Sequence, residues 1–398
     1  MIIGVPRETH AGERRVALTP AVVGTLSAAH DVRVEAGAGV ESGFPDAAYR
    51  EKGAAAGASR DDVFLADVLL QVRTLGRDDA ADLARIREGQ VVIGLADPLS
   101  APEAARELAV RGATLFALEL LPRITRAQTM DALSSQATVA GYKAVVLAAE
   151  HAAKMFPKLT TAAGTLAPVR AFIIGAGVAG LQAIASARRL GAVVEAYDVR
   201  PAVKEQVLSL GAKFVELPVE AGDAEDRGGY AKAMDEDFYR RQRELMARVV
   251  AASDVVITTA QVPGRRAPVL VTREMVEAMA PGSVVVDLAA GQGGNCEVTR
   301  PDETVVLNGA TVLGPTNLPA SVPHHASQMY ARNISSFLQH LLRDAALVID
   351  LEDEITRGTL VARGGRIVHP RVLEALGEPA AEPAAAGEAA RAPQATTS

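Results

Sequence analysis

The sequence predicts an α/β protein made of two Rossmann-like, doubly wound parallel-sheet domains with a cleft between them. Three observations predict it. The 398 residues exceed what one ordinary domain holds. Short β-branched runs alternate with helix-length segments in both halves, the pattern of a parallel sheet covered by helices. Val169–Arg200 reads in unbroken order as strand, glycine turn, helix, strand and acid.

In the first half, Ile2–Val5, Val32–Val34, Val68–Val72, Val91–Leu95 and Thr114–Ala117 read as buried strands. Pro20–His30, Asp46–Ala54 and Pro102–Arg111 read as helices between them. Thr19 before Pro20 supplies a cap position followed by a first-turn proline, a helix start. No glycine fingerprint occurs here, so this half reads as an α/β domain without a nucleotide site of its own.

The polar stretch Arg123–Gln136 follows, between two apolar domains. Gln128, Asp131 and Ser134 are spaced by three, so a helical turn puts them on one face. Two readings stay open: a helix-capping region with satisfied polar groups, or a polar loop at a domain cleft where ligands sit. Ala140–Met155 reads as a long helix crossing between the domains.

Val169–Arg200 carries the chemistry. Ala171–Ile174 is a buried strand running into Gly175-x-Gly177-x-x-Gly180. Gly175 permits the tight turn, Gly177 lets a pyrophosphate approach the backbone, and Gly180 lets helix and strand pack closely. The helix Leu181–Leu190 then offers free N–H groups and a positive dipole end to phosphates. After the strand Ala192–Tyr197, Asp198 stands where an acid binds adenosine ribose hydroxyls. A carboxylate there favours NAD(H) over NADP(H), whose 2′-phosphate it repels. Arg200 beside it works against that exclusion.

The second sheet continues with Lys213–Leu217, Asp254–Thr258, Ser283–Asp287, Thr304–Leu307 and Thr311–Leu313. The charged stretch Pro218–Arg243, with Gly228-Gly229-Tyr230, reads equally as a lid or as a surface loop leading into a helix. Thr258–Gly264 ends a strand at the edge where cofactors bind in such folds. Ala326–Arg343 is helical, and Thr359–Val361 with Arg366–Val368 forms a hairpin returning to the first domain. The expected boundaries are residues 1–125 plus 325–371 for the first domain and 126–324 for the second. Residues 377–398 form a disordered tail.

Composition narrows the function. Apolar residues make up 49% of the chain and support large cores. A net charge of −7 without a basic stripe argues against nucleic acid. The single cysteine, Cys296, excludes a disulfide framework and suits a reducing compartment. No signal peptide or apolar run of membrane-spanning length is present, so a soluble chain is expected. No residue is assigned to a metal.

At this point the sequence resembles a known family, the soluble NAD(H)-binding portion (domain I) of the alpha subunit of proton-translocating NAD(P) transhydrogenase. The resemblance runs from Met1 to about Arg371. It rests on Gly4-Val-Pro-Arg-Glu, Arg15-Val-Ala-Leu-Thr-Pro, Thr161-Ala-Ala-Gly-Thr, Gly228-Gly-Tyr-Ala-Lys, Thr258-Thr-Ala with Pro263-Gly264, and Gly293-Gly-Asn-Cys. Above all it rests on Glu119-Leu-Leu-Pro-Arg-Ile-Thr-Arg-Ala-Gln-Thr-Met-Asp-Ala-Leu-Ser-Ser-Gln, which general dinucleotide folds do not share.

The resemblance implies roles. Arg123, Gln128, Asp131 and Ser134 match the loop that orients the dihydronicotinamide. Gly175, Gly177, Val178 and Gly180 match the pyrophosphate turn, and Asp198, Val199 and Arg200 the adenosine ribose end. Gly229 and Tyr230 match a mobile loop closing over NADH, and Thr259 the strand end beside the adenosine. It further implies NADP(H) on a partner subunit, membrane-embedded subunits that couple hydride transfer to proton movement, a homodimer, and a peripheral position on the cytoplasmic face of the inner membrane. Gln128, Asp131 and Arg123 are then the residues of the transfer step.

Alanine dehydrogenase is similar in fold and shares the Arg15 motif. Its substrate needs a lysine, a histidine and an acid. At the positions where these belong, this chain has Gln71, Gly94 and Gly291. A stand-alone amino-acid dehydrogenase and a non-catalytic NAD-sensing protein remain the other readings.

Overall fold

A computed structural model describes residues 1–74, 80–216, 236–261 and 264–379. In the first half, β1 (Ile2–Val5), β2 (Asp31–Glu35), β3 (Ala55–Ala58), β4 (Val68–Arg73), β5 (Val91–Leu95) and β6 (Thr114–Ala117) run parallel. Their order is β3-β2-β1-β4-β5-β6. Strand order therefore reverses between β1 and β4, the switch point of a doubly wound sheet. The central strands β4, β5 and β6 are apolar runs buried on both faces, as a helix-covered parallel sheet requires.

Two predicted helices are shorter than their apolar pattern. Pro20–Leu26 ends before His30, where the chain turns into β2 through Asp31 N–H bonding to the Met1 carbonyl at 3.1 Å. Asp46–Arg50 ends before Ala54, because Gly53 takes a φ of +88° that only glycine adopts freely. The edge strand β3 went unpredicted: Ala-Ala-Gly-Ala has no β-branched residue and alternates exposed with half-buried.

The polar stretch folds as a 3-10 helix, Thr125–Met130, followed at once by the long helix Ala132–His151. That helix begins eight residues before the predicted Ala140, since Asp131 caps it. A small exposed hairpin follows, β7 (Leu159–Thr161) with β8 (Gly164–Leu166).

The second sheet comprises β9 (Arg170–Ile174), β10 (Val193–Tyr197), β11 (Lys213–Phe214), β12 (Val255–Thr258), β13 (Val284–Asp287), β14 (Thr304–Leu307) and β15 (Ala310–Leu313), in the order β11-β10-β9-β12-β13-β15-β14. All pairs are parallel except β14 with β15. There the two-residue turn Asn308–Gly309, both at positive φ, folds a hairpin instead of the crossover a wholly parallel sheet needs. This sheet switches between β9 and β12.

The helix Pro323–His340 then packs on the first sheet, where Tyr330, Phe337 and Leu338 share a core with Leu70, Ile93 and Phe116. It starts three residues before the predicted Ala326, with proline in its first turn, and stops at His340. After the hairpin β16 (Leu342–Arg343) and β17 (Ala346–Leu347), β18 (Leu360–Arg363) and β19 (Arg366–Ile367) form the predicted hairpin. β18 pairs antiparallel with β6, so the C-terminal segment completes an eight-stranded first sheet.

The two halves are joined through helix packing. Helix Ala132–His151 crosses helix Val178–Arg189 at Gly141, where an added Cβ would lie 2.1 Å from the Ala179 carbonyl oxygen. Only a glycine allows that crossing.

Candidate functional site

Each glycine of the fingerprint has its own geometric reason. Gly175 ends β9 at φ +98°, and a Cβ on it would stand 2.5 Å from Thr259 Oγ1. A Cβ on Gly180 would fall 1.8 Å from the Gly175 carbonyl oxygen. Around Gly177, by contrast, the nearest atom is a guanidinium nitrogen of Arg200 at 4.0 Å. Gly175 and Gly180 are thus required by packing, whereas the backbone at Gly177 lies open. Gly177 caps helix Val178–Arg189 without any side-chain bond. The helix begins at Val178, not Leu181, so its first N–H groups lie directly in the turn. Nitrogen donors and the positive helix end converge there, the arrangement that suits a pyrophosphate.

Thr259 closes the turn from the next strand. Its N–H bonds to Ile174 O at 2.8 Å and its hydroxyl to Gly175 O at 3.1 Å. A second tier holds Thr259. Asn295 accepts from Ala260 N–H at 2.9 Å and donates to the carbonyls of Ala260 and Pro268, both at 2.8 Å. The buried Asp287 carboxylate accepts from the N–H groups of Ala289, Asn295 and Cys296 and from the hydroxyls of Thr258 and Thr299. Gly293 and Gly294, at φ +96° and +81°, bend the chain around that carboxylate. The sequence assigned no role to Asp287 or Asn295. The signal available in it was the Gly-Gly pair just beyond a strand-end acid.

Asp198, at the end of β10, is only 8% exposed. Its Oδ2 accepts from Ala176 N–H at 2.7 Å and from Arg200 Nη2 at 2.9 Å. Its Oδ1 accepts from Arg200 N–H at 2.8 Å and Arg200 Nε at 2.9 Å. The expected ribose acid is therefore paired with Arg200 and also pins the glycine turn. Val199 packs into the apolar cluster of Phe172 and Ile174. The fold brings Gly175, Gly177, Val178, Gly180, Asp198, Arg200 and Thr259 together. Gly229 and Tyr230 lie outside the described residues.

In the polar loop, Asp131 accepts from Ser134 N–H at 2.8 Å and from Ser134 Oγ at 2.6 Å. This is an N-cap, so the helix-capping reading holds for these two residues. Their expected common helical face with Gln128 is interrupted, because Asp131 at ψ 87° separates the 3-10 helix from the long one. Arg123 and Gln128 are exposed, and among the described residues the Gln128 side chain forms no hydrogen bond. Asp131 precedes the Gly141 crossing by roughly 15 Å of helix axis, and Ala179 of the glycine turn lies at that crossing, so the polar loop and the turn are separated by that one stretch of helix.

The first sheet's own switch-point crevice is bridged from within. Glu8, just beyond β1, accepts from Val72 N–H at 2.7 Å and Arg73 N–H at 3.1 Å at the end of β4. Nearby, Arg15 forms a buried two-pronged pair with Glu13, at 2.8 and 2.6 Å, and donates to Gln136 at 2.8 Å. Burial works against ionising Glu13, but the bonds and charge of Arg15 prevail and hold it down at about 2. Asn317 completes this cluster by donating to Glu13 at 3.0 Å.

The three positions compared with an amino-acid dehydrogenase are equally specific. Gln71 is buried. A Cβ on Gly94 would meet the Gln71 carbonyl oxygen at 2.6 Å, so this backbone has no room for a histidine there. Gly291 is open, its nearest neighbour being Thr316 at 3.9 Å.

Family models for alanine dehydrogenase/PNT match the chain twice, the N-terminal domain over residues 4–140 and the C-terminal domain over residues 144–370. The first part of the NAD(P) transhydrogenase alpha subunit of Rhodospirillum rubrum is 46% identical over 377 residues, covering 93% of this chain and 98% of that one. NAD(P) transhydrogenase subunit alpha of Haemophilus influenzae is 42% identical, covering 97% of this chain and 75% of that one. Alanine dehydrogenase of Bacillus subtilis is more distant, 29% identical, with 95% of each chain covered. Among solved structures, a transhydrogenase from Sinorhizobium meliloti matches with a TM-score of 0.83 at 44% identity, covering 92% of this chain and 100% of that one. An L-alanine dehydrogenase matches with a TM-score of 0.78 at 27% identity, covering 95% and 99%.

Proposed function

This chain belongs to the NAD(P) transhydrogenase alpha-subunit family, and we propose that it is the NAD(H)-binding subunit of such a complex, passing hydride directly from NADH to NADP⁺ held by a partner subunit. The observation that carries the reading is the pairing of a complete glycine turn with an exposed, unbonded Gln128 amide just ahead of the helix that crosses beside that turn at Gly141.

Hydride transfer from one nicotinamide C4 to another requires no general acid or base, so what the protein adds is position. Gly177 and the first turn of helix Val178–Arg189 receive the pyrophosphate. Asp198 and Arg200 face the adenosine ribose. Gln128 orients the carboxamide, Asp131 and Ser134 hold the loop beneath it, and Arg123 clamps from the side. Gly94 and Gly291 leave the chain without the histidine and acid that oxo-acid chemistry uses, which supports an acceptor on another subunit.

The rest of the complex follows from the same reading. No helix among the described residues is long and apolar enough to cross a membrane. In the proposed complex the NADP(H) site and the membrane-embedded, proton-conducting portion belong to partner subunits. This chain docks peripherally at the cytoplasmic face as a homodimer.

The test begins with NADH binding followed by fluorescence, which the absence of tryptophan leaves clear. The chain alone is then given pyruvate and ammonium, and separately recombined with NADP(H)-carrying subunits. NADH oxidation only in the recombined sample is expected. Appreciable turnover of the isolated chain with pyruvate and ammonium would sink the proposal in favour of an amino-acid dehydrogenase.

A further inference from the structure

The turn that carries Gln128 is gripped from outside by the C-terminal segment. In the 3-10 helix Thr125–Met130, Ala127 and Met130 are three apart, share one edge of a three-residue turn, and are buried in the first core. Arg126 donates from Nη1 to Asp353 Oδ2 at 2.7 Å. The Thr129 carbonyl accepts from Asn333 Nδ2 at 2.9 Å. Gln128 lies between these two tethers, exposed. Asp353 is itself fixed, capping helix Glu354–Thr359 through Ile355 and Thr356 N–H and facing His340 Nε2 at 3.0 Å.

Asn333 sits inside helix Pro323–His340, 8% exposed. Among the described residues its Oδ1 is buried without a partner. A leucine of similar size would leave no unpartnered Oδ1 in the site but would take the donor from the Thr129 carbonyl, so the asparagine keeps that one bond at the cost of a buried acceptor. What it adds is one donor, aimed at the carbonyl next to Gln128.

We infer that Asn333 is a positioning residue for hydride transfer: together with the Asp353–Arg126 pair it clamps the 3-10 turn on both sides of Gln128 and sets where that amide stands. The inference rests on the reading of Gln128 as the nicotinamide-orienting group. Asn333 acts only through the loop. Near-contact of two nicotinamides tolerates little error, and a displacement of the order of 1 Å costs up to about 100-fold in rate.

The experiment uses the complex assembled from this chain and NADP(H)-carrying subunits. Single-turnover hydride transfer, NADH affinity and thermal midpoint are measured for Asn333→Leu, Arg126→Gln and Gln128→Asn. Asn333→Leu is expected to slow transfer about tenfold while NADH affinity stays within about threefold and the midpoint does not fall. Arg126→Gln loosens the other tether from the surface and slows transfer about threefold; it carries the test should Asn333→Leu not fold. Unchanged transfer in both tether variants, with Gln128→Asn slow, overturns the clamp and leaves the reading of Gln128 intact. Unchanged transfer in Gln128→Asn overturns that reading and the clamp with it. A rate loss in Asn333→Leu that tracks a lower midpoint and weaker NADH binding marks a merely structural residue and also overturns the clamp.

Discussion

Arg200 closes on Asp198 as a two-pronged pair, Nε to Oδ1 and Nη2 to Oδ2, both at 2.9 Å. The pair is largely withdrawn from solvent, with side chains 14% and 6% exposed. The acid proposed to discriminate against a 2′-phosphate thus sits bonded to a cation that would attract one. Asp198→Asn removes the negative charge that faces Arg200. Titration with both reduced nucleotides should show NADH weakened by about tenfold and NADPH strengthened, the scale of one charged hydrogen bond. Loss of both affinities alike would assign Asp198 to holding Ala176 only.

The fingerprint glycines should separate by mechanism. Gly177→Ala has open space for its Cβ, so the thermal midpoint should hold while NADH binding is lost. Gly180→Ala drives a Cβ into the Gly175 carbonyl and should cost about 1–3 kcal/mol of stability as well. Chemical denaturation beside NADH titration distinguishes the two.

Asn295→Ala removes three bonds that hold Ala260 and Pro268. Leaving those half-buried groups unpaired should cost about 1–3 kcal/mol. NADH affinity should fall too, because Thr259 would no longer be held against Gly175. A variant that is less stable yet binds NADH normally would confine Asn295 to a structural role.

Glu119 supplies a pH test. Burial of its carboxyl, with Oε2 unpartnered among the described residues, pushes it up to about 7 from the usual 4.5. The folded state therefore holds this proton more tightly than the unfolded chain. The resulting stability is fully present below about pH 4.5 and lost as pH rises to about 7. Urea midpoints of the parent protein should decline over that window, and those of Glu119→Gln should decline less. Parallel curves would disprove the assignment.

Much of the fold was readable because its causes are local. β4, β5, β9 and β12 are short apolar runs between turns, and such runs report burial on both faces. The turn Gly175–Gly180 was readable because positive φ and close backbone approach are demands that glycine alone meets. The strand β3 was not readable, since alanine and glycine carry no β signal and pairing at the sheet edge alone holds it there. The early start of helix Ala132–His151 was hidden in Asp131, whose capping bond to Ser134 competes with the role that its spacing from Gln128 suggested.

Neighbouring residues were thus enough to specify two α/β sheets, a dinucleotide turn after β9 and a polar loop ahead of a long helix. The packing of distant elements settled that Arg200 folds onto Asp198, that Glu8 bridges the other crevice, and that Asp287 and Asn295 brace Thr259. It also settled that Asn333 reaches Thr129 across 204 residues and Arg126 reaches Asp353 across 227. Hydrogen bonds over such separations depend on where whole sheets and helices pack. No local pattern of residue types carries that information.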